Sequence, residues 1–374
     1  MRIVTVLTSL GVGGAEKQAL AISERIVMRG HAVQVLALRP RVPEEWQTTL
    51  RVVHLDMRKS PLSFFRGLLR ARRFLREFHP DVIHSHSFHA NLFARALKLV
   101  APSVGVVSTV HNVYEGGRLR MGSYRVTDPL SQRTVVVSQA AAKRFVELKA
   151  IPARKCLVIP NGIDATEFAP SADRRTATRV AMKANASFIW LTAGRLVPAK
   201  DFPNLVEAFR RVLEEFSDAE LWIAGVPPDA RAVRGADGKT SFYWVSAMER
   251  EVGKHVHWLG LRRDVAALLD AADAFVLASA WEGMPLALGE AMAMEKPVVA
   301  TDVGGVREMV GDAGILVQAK NPEALAAAMI EMMRKSREER NLLARAARQR
   351  IQEHFNLDAA ADAWEELYRE AGGH

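Results

Sequence analysis

Short runs of β-branched and apolar residues recur through the first half of the chain: "RIVTVL", "AVQVLAL", "VVHLDM", "DVIHSHS", "VGVVSTVH" and "RTVVVS". Between them lie longer stretches with helical period, such as "GAEKQALAISERIVMRG" and "SQAAAKRFVELKA". This alternation is the signature of βαβ units, in which a parallel sheet is buried under helices on both faces. After "NGIDATEFAP" comes a polar stretch, "SADRRTATRVAMKANA", and then the alternation restarts with "FIWLTAGRL", "AELWIAG", "VHWLG", "AFVLAS", "PVVAT" and "GILVQ". The pattern predicts an α/β fold of two Rossmann-like parallel-sheet domains. They are expected at residues 1–168 and 187–356, joined by a linker at 169–186.

The tail is helical by period, with Ala324, Leu325, Ala328 and Met332 on one face and Leu357, Ala361, Trp364 and Leu367 on another. Residues 357–374 are read as a separate C-terminal helix. The segment "VRGADGKTSFYW", residues 233–244, reads as a surface loop that lengthens a normally short connection. In "MRKSPLSFFRGLLRARRFLREFHP", residues 57–80, a helix is expected with Phe65, Leu68, Leu69 and Leu75 inside and Arg66, Arg70 and Arg73 in a row outside. Such a row beside aromatics suits either solvent or an anionic lipid surface.

A length of 374 residues exceeds what one core usually serves, and 49% apolar with 25% charged residues is ordinary globular composition. The single cysteine, Cys156, has no partner for a bridge or a CxxC site, which fits a reducing, cytoplasmic setting. Neither a signal-peptide pattern nor an apolar run of the roughly 18 residues needed to span a bilayer is expected. The net charge of +9 is unevenly placed: residues 1–168 hold 25 Lys and Arg against 12 Asp and Glu, and the remainder is slightly acidic. The basic half therefore favours an acidic partner, but nucleic acid is disfavoured because no recognised binding motif accompanies the charge.

Candidate chemistry collects where predicted strands end, the place where open parallel sheets bind ligands. In "LTSLGVGGAEKQAL", Gly13 and Gly14 form either a tight turn or a cradle where backbone N–H groups and a helix dipole meet an anion. The spacing is not GxGxxG, and no acidic residue ends the second strand, so a nicotinamide cofactor is disfavoured. In "TAGRLVPAKDFPNLVEAF", Arg195 and Lys200 straddle a Val-Pro turn, where a guanidinium and an ammonium can converge on a diphosphate. In "SAWEGMPLALGEAMAMEKPVVAT", Pro285 suits the first turn of a helix, and Glu290 lies about 7.5 Å along the axis from it. Glu282 and Glu290 either hold hydroxyls of two sugars or form one acidic flank.

His111 ends a strand and can polarise a reacting group or contact a hydroxyl. His84 and His86 share a strand face, with His89 past a turn, and no carboxylate accompanies them as a zinc ligand. No Asp-x-Asp occurs, so protein cations rather than a metal are expected to neutralise a leaving diphosphate. No cofactor is expected.

Taken in order, "GGAE" at 13–16, "NGID" at 161–164, the "GR…K" pair at Arg195 and Lys200, the Glu-x7-Glu from Glu282 to Glu290, and "PVVATDVGG" at 297–305 resemble the retaining glycosyltransferases of family 4. The resemblance covers nearly the whole chain. It implies the GT-B fold, with two such domains facing across a cleft and the C-terminal helix packing back on the N-terminal domain. It also implies a nucleotide-sugar donor, UDP-linked, held by the C-terminal half, and an acceptor held by the other. Carried over residue by residue, it assigns the diphosphate to Arg195 and Lys200, the ribose to Glu290, and the transferred sugar to Glu282 with Gly283, Met284, Pro285 and Leu286. Gly13 and Gly14 would approach the phosphates, His111 the sugar near the reacting carbon, and Leu261 and Asp264 the base. Two departures stand out: "VPPDARAVRGADGK" replaces the short turn usual after "WIAG", and Leu288-Gly289 precedes Glu290.

Cleavage of a sugar–diphosphate bond builds negative charge on the departing phosphate, which fixed cations and helix N–H groups stabilise. Retention is implied by the resemblance alone, through front-face attack of the acceptor hydroxyl, which leaves Glu282 a positioning role. The implied acceptor is a glycan or lipid-linked saccharide, as in polysaccharide or lipopolysaccharide assembly at the inner face of the cytoplasmic membrane. Two other readings compete: a nucleotide-sugar epimerase, disfavoured by the Glu282/Glu290 pair, and a silent sugar-nucleotide or lipid-surface binding protein.

Overall fold

A computed structural model describes residues 1–42, 45–184, 188–225 and 253–373. The loop expected at 233–244 and the whole of the "VPPDARAVRGADGK" departure lie outside the described residues. The chain divides into two compact units, residues 1–162 with 357–374, and residues 163–356.

Unit 1 begins with β1 (Arg2–Leu7), α1 (Gly14–Met28), β2 (Ala32–Ala37), β3 (Arg51–His54), α2 (Pro61–Phe78), β4 (Val82–His86) and α3 (Phe88–Leu97). It continues through β5 (Gly105–Val110), α4 (Arg118–Thr127), β6 (Arg133–Val136), α5 (Gln139–Glu147) and β7 (Cys156–Val158). Its seven strands lie in the order β3-β2-β1-β4-β5-β6-β7, all parallel. The strand order reverses between β1 and β4, which makes that point the natural ligand crevice of the sheet. Six of these strands follow the sequence pattern. The seventh, β7, is only three residues long, and too short a run carries no period.

Unit 2 contains α6 (Ala172–Ala181), β8 (Ile189–Ala193), α7 (Phe202–Glu215), β9 (Glu220–Ala224), β10 (Val256–Gly260), α8 (Val265–Ala271) and β11 (Ala274–Leu277). Next come α9 (Leu286–Ala293), β12 (Val298–Thr301), α10 (Val306–Val310), β13 (Ile315–Val317), α11 (Pro322–Arg334) and α12 (Arg337–His354). Its parallel sheet runs β10-β9-β8-β11-β12-β13, with the reversal between β8 and β11. One core of this unit gathers Trp190, Leu221, Ile223 and Val276 from the strands with Phe202, Leu205 and Phe209 of α7 and Leu325, Met329 and Met332 of α11.

Two expectations need correction. The boundary falls at Gly162/Ile163, and the polar stretch placed in a linker at 169–186 forms α6. That helix is capped by the Ser171 hydroxyl and pinned to the α8 region by its arginines. Arg174 pairs with Asp270, while Arg175 and Arg179 reach Asp273 at 2.6 and 2.7 Å. Charge anchoring of this kind leaves no apolar stripe for a sequence reading to find.

In α2 the faces are also reassigned. Phe65 and Leu69 are 58% and 50% exposed, and the buried side is Gly67, Ala71, Phe74 and Leu75. Met57 packs so closely over Gly67 that the backbone, rather than a large side chain, meets the core there.

The last helix, α13 (Leu357–Gly372), belongs to unit 1. Leu357, Ala361, Trp364, Leu367 and Tyr368 are buried against Ile3, Ile22, Ile26, Val82 and Val107. Arg25 pairs with Asp358, and Arg29 and His31 with Glu365, along its edge. Among the described residues, no helix is long and apolar enough to cross a membrane.

Candidate functional site

The sequence-identified residues fall into one cluster in each unit. In unit 2, β8 and β11 are neighbours at the reversal of strand order. β8 runs out into Gly194, Arg195 and a short 3₁₀ turn at Pro198–Lys200, and β11 runs out into the loop holding Ser279 and Glu282. The Ala280 N–H donates to the Ala199 carbonyl at 2.8 Å, tying the two strand-end loops together.

That tie brings the Lys200 ammonium to Glu282 Oε1 at 2.5 Å. The same oxygen accepts from the Ser279 hydroxyl at 2.6 Å. Ser279 is itself fixed, because Thr301 at the end of β12 donates its hydroxyl to the Ser279 carbonyl at 2.7 Å. Further along the loop, the Gly305 N–H donates to the Gly283 carbonyl at 2.9 Å. Three neighbouring strand ends thereby set one carboxylate, which is only 8% exposed.

Gly283, Met284 and Pro285 are buried beside it, and Pro285 is the N-cap of α9 rather than its first residue. The first turn of α9 begins at Leu286, and its earliest N–H groups have no intrahelical acceptor. Glu290, 6% exposed, lies in the next turn. The small residue before it has a packing cause: a Cβ on Gly289 would come within 2.8 Å of the Ile163 side chain.

Arg195 is exposed and has no ion pair among the described residues. Leu261 is half-buried, and the Asp264 carboxylate is held by both Nε and Nη2 of Arg262, at 2.8 and 2.5 Å. That guanidinium lowers the Asp264 pKa.

In unit 1, Gly13 caps α1 and Gly14 opens it, just beyond β1 at that sheet's reversal. His111 follows β5 directly, and its Nε2 lies 2.9 Å from Nδ1 of His86, the last residue of β4. His84, on the same face of β4, packs against His86 with ring centroids 4.0 Å apart and the ring planes tilted by 44°. Both nitrogens of His84 are engaged, one by the Tyr368 hydroxyl at 2.6 Å and the other by Thr109 Oγ1 at 2.7 Å.

Burial holds His111 down to about 4, and burial, reinforced by the neighbouring imidazoles, drives His84 and His86 well below the usual histidine range. The three rings are therefore neutral at physiological pH. His89 sits in the first turn of α3, away from this chain of rings. Among the described residues, no group of three His, Cys, Asp or Glu side chains is disposed to hold a metal ion.

Beyond this row, the loop after β5 carries a half-buried carboxyl that a reading for motifs passes over. Glu115 accepts from the Tyr124 hydroxyl at 2.6 Å, and burial raises it to about 7. Ser279, Thr301 and His86 carry no site role in the sequence reading for a different reason. Thr301 lies within "PVVATDVGG" and His86 beside His84 on one strand face, but each matters only through a contact set by strand order.

Comparison with known proteins bears on both clusters. A model described as Glycosyltransferase Family 4 matches residues 12–167, and one described as Glycosyl transferases group 1 matches residues 173–350. Among curated relatives, the chain is 25% identical to the UDP-Gal:alpha-D-GlcNAc-diphosphoundecaprenol alpha-1,3-galactosyltransferase of Escherichia coli, over 81% of this chain and 79% of that one. It is 27% identical to the D-inositol 3-phosphate glycosyltransferase of Kineococcus radiotolerans, over 96% and 91%. Among solved structures, Anabaena HepE in complex with UDP and glucose superimposes with a TM-score of 0.84 at 18% identity, covering 99% of this chain and all of that one. Each unit carries its own family match and its own Rossmann-like sheet, and the chain belongs to family 4 of the glycosyltransferases, with the GT-B fold.

Proposed function

We propose that this glycosyltransferase moves a sugar from a UDP-sugar to a hydroxyl of a glycan or lipid-linked acceptor, with retention at the anomeric carbon and without a metal ion. The observation that carries the reading is the Lys200–Glu282 pair, fixed at 2.5 Å where the unit 2 sheet reverses and the N-terminus of α9 begins. A departing diphosphate needs positive charge already in place, and Lys200, Arg195 and the free N–H groups of α9 supply it. Glu282 takes the transferred sugar's hydroxyls and keeps Lys200 extended, while Glu290 takes the ribose. Leu261 and Asp264 flank the base, Gly13 and Gly14 meet the phosphates, and a neutral His111 meets the sugar.

In this reading the acceptor hydroxyl attacks on the face from which the phosphate leaves. The phosphate oxygen takes the hydroxyl proton, so no carboxylate acts as nucleophile. The donor class is supported by HepE, solved with UDP and glucose, and by the E. coli relative, whose name gives a UDP-Gal donor and a diphosphoundecaprenol acceptor. We place the enzyme at the inner face of the cytoplasmic membrane. The exposed face of α2 supports this, since Leu62, Phe65 and Leu69 alternate there with Arg66, Arg73 and Arg76.

Incubation with radiolabelled UDP-sugars and a panel of lipid-linked acceptors tests the proposal, with the product's anomeric configuration read by NMR. Transfer with retained configuration is the expected result. Isomerised donor would instead indicate an epimerase, donor bound but unchanged would indicate a binding protein, and an inverted product would remove the retaining mechanism.

A further inference from the structure

We infer that unit 1 carries an anion subsite of its own, in which Arg39, Lys59, His89 and Arg120 gather at the carboxyl edge of the sheet to hold a phosphate or diphosphate group of the acceptor. Each of the four follows a different strand. Arg39 leaves β2, Lys59 lies between β3 and α2, His89 stands in the first turn of α3 after β4, and Arg120 lies in α4 after β5. These strands flank the reversal of order between β1 and β4, where an open parallel sheet takes its ligand.

The connections are tied so that the cations converge. The Arg39 N–H donates to the Thr8 carbonyl at 3.0 Å, just beyond β1, and the Arg39 carbonyl lies 3.1 Å from Nδ1 of His54 at the end of β3. The Met57 N–H donates to the Leu38 carbonyl at 2.8 Å, which holds the turn carrying Lys59 beside the exit of β2. Across the reversal, the Arg120 guanidinium lies 4.7 Å over the Phe88 ring, and Phe88 meets the His89 ring edge-on at 5.3 Å. The two sides act together on His89: partial burial lowers its pKa, and the charges of Arg120, Arg39 and Lys59 lower it further.

Like charges gathered at one edge repel, and a bound anion relieves that repulsion. Elsewhere in unit 1 basic side chains meet carboxylates, as Arg73 meets Glu77 at 3.0 Å and Arg25 meets Asp358 at 3.2 Å. Arg39, Lys59 and Arg120 are exposed and have no ion pair among the described residues. The carboxyls on the same connections are engaged by other groups. Asp56 faces Arg70 at 3.9 Å, Glu45 faces Arg41 at 3.7 Å and His54 at 3.8 Å, and Glu115 accepts from the Tyr124 hydroxyl at 2.6 Å. Two helices add their positive ends, since α2 is capped by Ser60 next to Lys59 and α3 begins after Ser87 without a side-chain cap. The donor diphosphate of the proposed reaction has Lys200 and Arg195 in unit 2, so the cations of unit 1 answer a second anion. Its assignment to the acceptor rests on the proposed sugar transfer, but the anion subsite does not.

Inorganic pyrophosphate, titrated without metal into protein labelled with ¹⁵N-histidine, tests the subsite. The His89 ring resonances of the wild-type protein are expected to move and the His89 titration midpoint to rise, and an unmoved His89 refutes the subsite. Lys200→Ala is expected to keep this response, and its loss there would assign the anion to unit 2. Arg39→Ala with Lys59→Ala, at two exposed positions, is expected to weaken the response by about tenfold or more at an unchanged melting temperature. An equal response in that double variant overturns the proposal. With a diphosphate-linked acceptor, the same variant is expected to raise acceptor KM by about tenfold or more and leave donor KM as it was, while the same saccharide as an uncharged methyl glycoside is turned over as by wild type. An unchanged KM for the charged acceptor removes the assignment to the acceptor. Sedimentation with phosphatidylserine vesicles is expected to be equal for wild type and double variant, and its loss in the variant would give these cations to a lipid headgroup instead. A wild-type protein that transfers no sugar yet shows the His89 response would defeat the functional reading alone.

Discussion

At the scale of single residues, Lys200 and Glu282 constrain each other, and their separate contributions can be divided. Lys200→Ala leaves the Glu282 carboxylate, 8% exposed, with the Ser279 hydroxyl but without its cation, a loss worth about 1–3 kcal/mol of stability. The same change removes a cation from the proposed diphosphate site. Adding Glu282→Gln to Lys200→Ala is expected to recover much of the melting temperature but none of the affinity for UDP. Calorimetric affinity unchanged in Lys200→Ala would remove the diphosphate assignment.

The histidine row gives a second residue-scale test. His84, His86 and His111 have folded pKa values depressed by burial, so below about pH 6.5 the unfolded chain takes up protons that the folded chain refuses. Their contribution is full above that pH and is lost as pH falls toward the folded values, at up to about 1.4 kcal/mol per histidine per pH unit. The facing groups, Tyr368 and Thr109, are neutral here, the tyrosine because burial raises its pKa. A melting curve series from pH 7.5 to 5 should slope less for His86→Asn than for wild type, and equal slopes would contradict the depressed values. The candidate residue types and their strand-end positions are legible in the sequence, but the contact between His86 and His111 is not. It depends on β4 and β5 being neighbours in register, His86 against Thr109, which no local pattern encodes.

At the scale of elements, the strands were read well because a strand buried on both faces is a continuous apolar run bounded by turns. Helices α2 and α6 were read poorly for the opposite reason. In α6 the anchoring is by arginine, and in α2 large apolar side chains sit outside while Gly67 and Ala71 sit within. On α2, Leu62, Phe65 and Leu69 share one side with Arg66, Arg73 and Arg76, the composition of an interfacial helix. Charge near an anionic surface contributes about 1 kcal/mol per basic residue. Reversing Arg66, Arg70 and Arg73 to glutamate is therefore expected to abolish sedimentation with phosphatidylserine vesicles, and Phe65→Ser with Leu69→Ser should weaken it while barely changing stability. Equal sedimentation of wild type and the triple variant would end the membrane assignment.

At the scale of the whole molecule, two compact units share one chain that leaves unit 1 at Gly162 and returns to it at Leu357. The "NGID" motif has a structural reason here. A Cβ on Gly162 would lie 2.6 Å from the Leu357 Cα and 3.0 Å from the Ala360 Cβ, so the departing and returning segments touch backbone to backbone. One residue on, the Ile163 N–H donates to the Phe355 carbonyl at 2.7 Å. The sequence flagged the motif, but its partner lies nearly two hundred residues away in the chain, beyond any local reading.

The returning helix carries five buried side chains, Leu357, Ala361, Trp364, Leu367 and Tyr368, into the unit 1 core. At about 1.5–3 kcal/mol for each large apolar side chain, their removal approaches the whole stability of a domain of this size, about 5–15 kcal/mol. A chain ending at Asn356 is accordingly expected to lose the cooperative melting of unit 1. Arg195, Lys200, Glu282 and Glu290 all lie in unit 2, whose core keeps its full set of side chains, so UDP should still raise the melting temperature of what remains folded. Scanning calorimetry with and without UDP separates the two claims. A surviving unit 1 transition would show that α13 is dispensable to that core, and loss of the UDP shift from a folded unit 2 would show that the donor site does not reside in unit 2 alone.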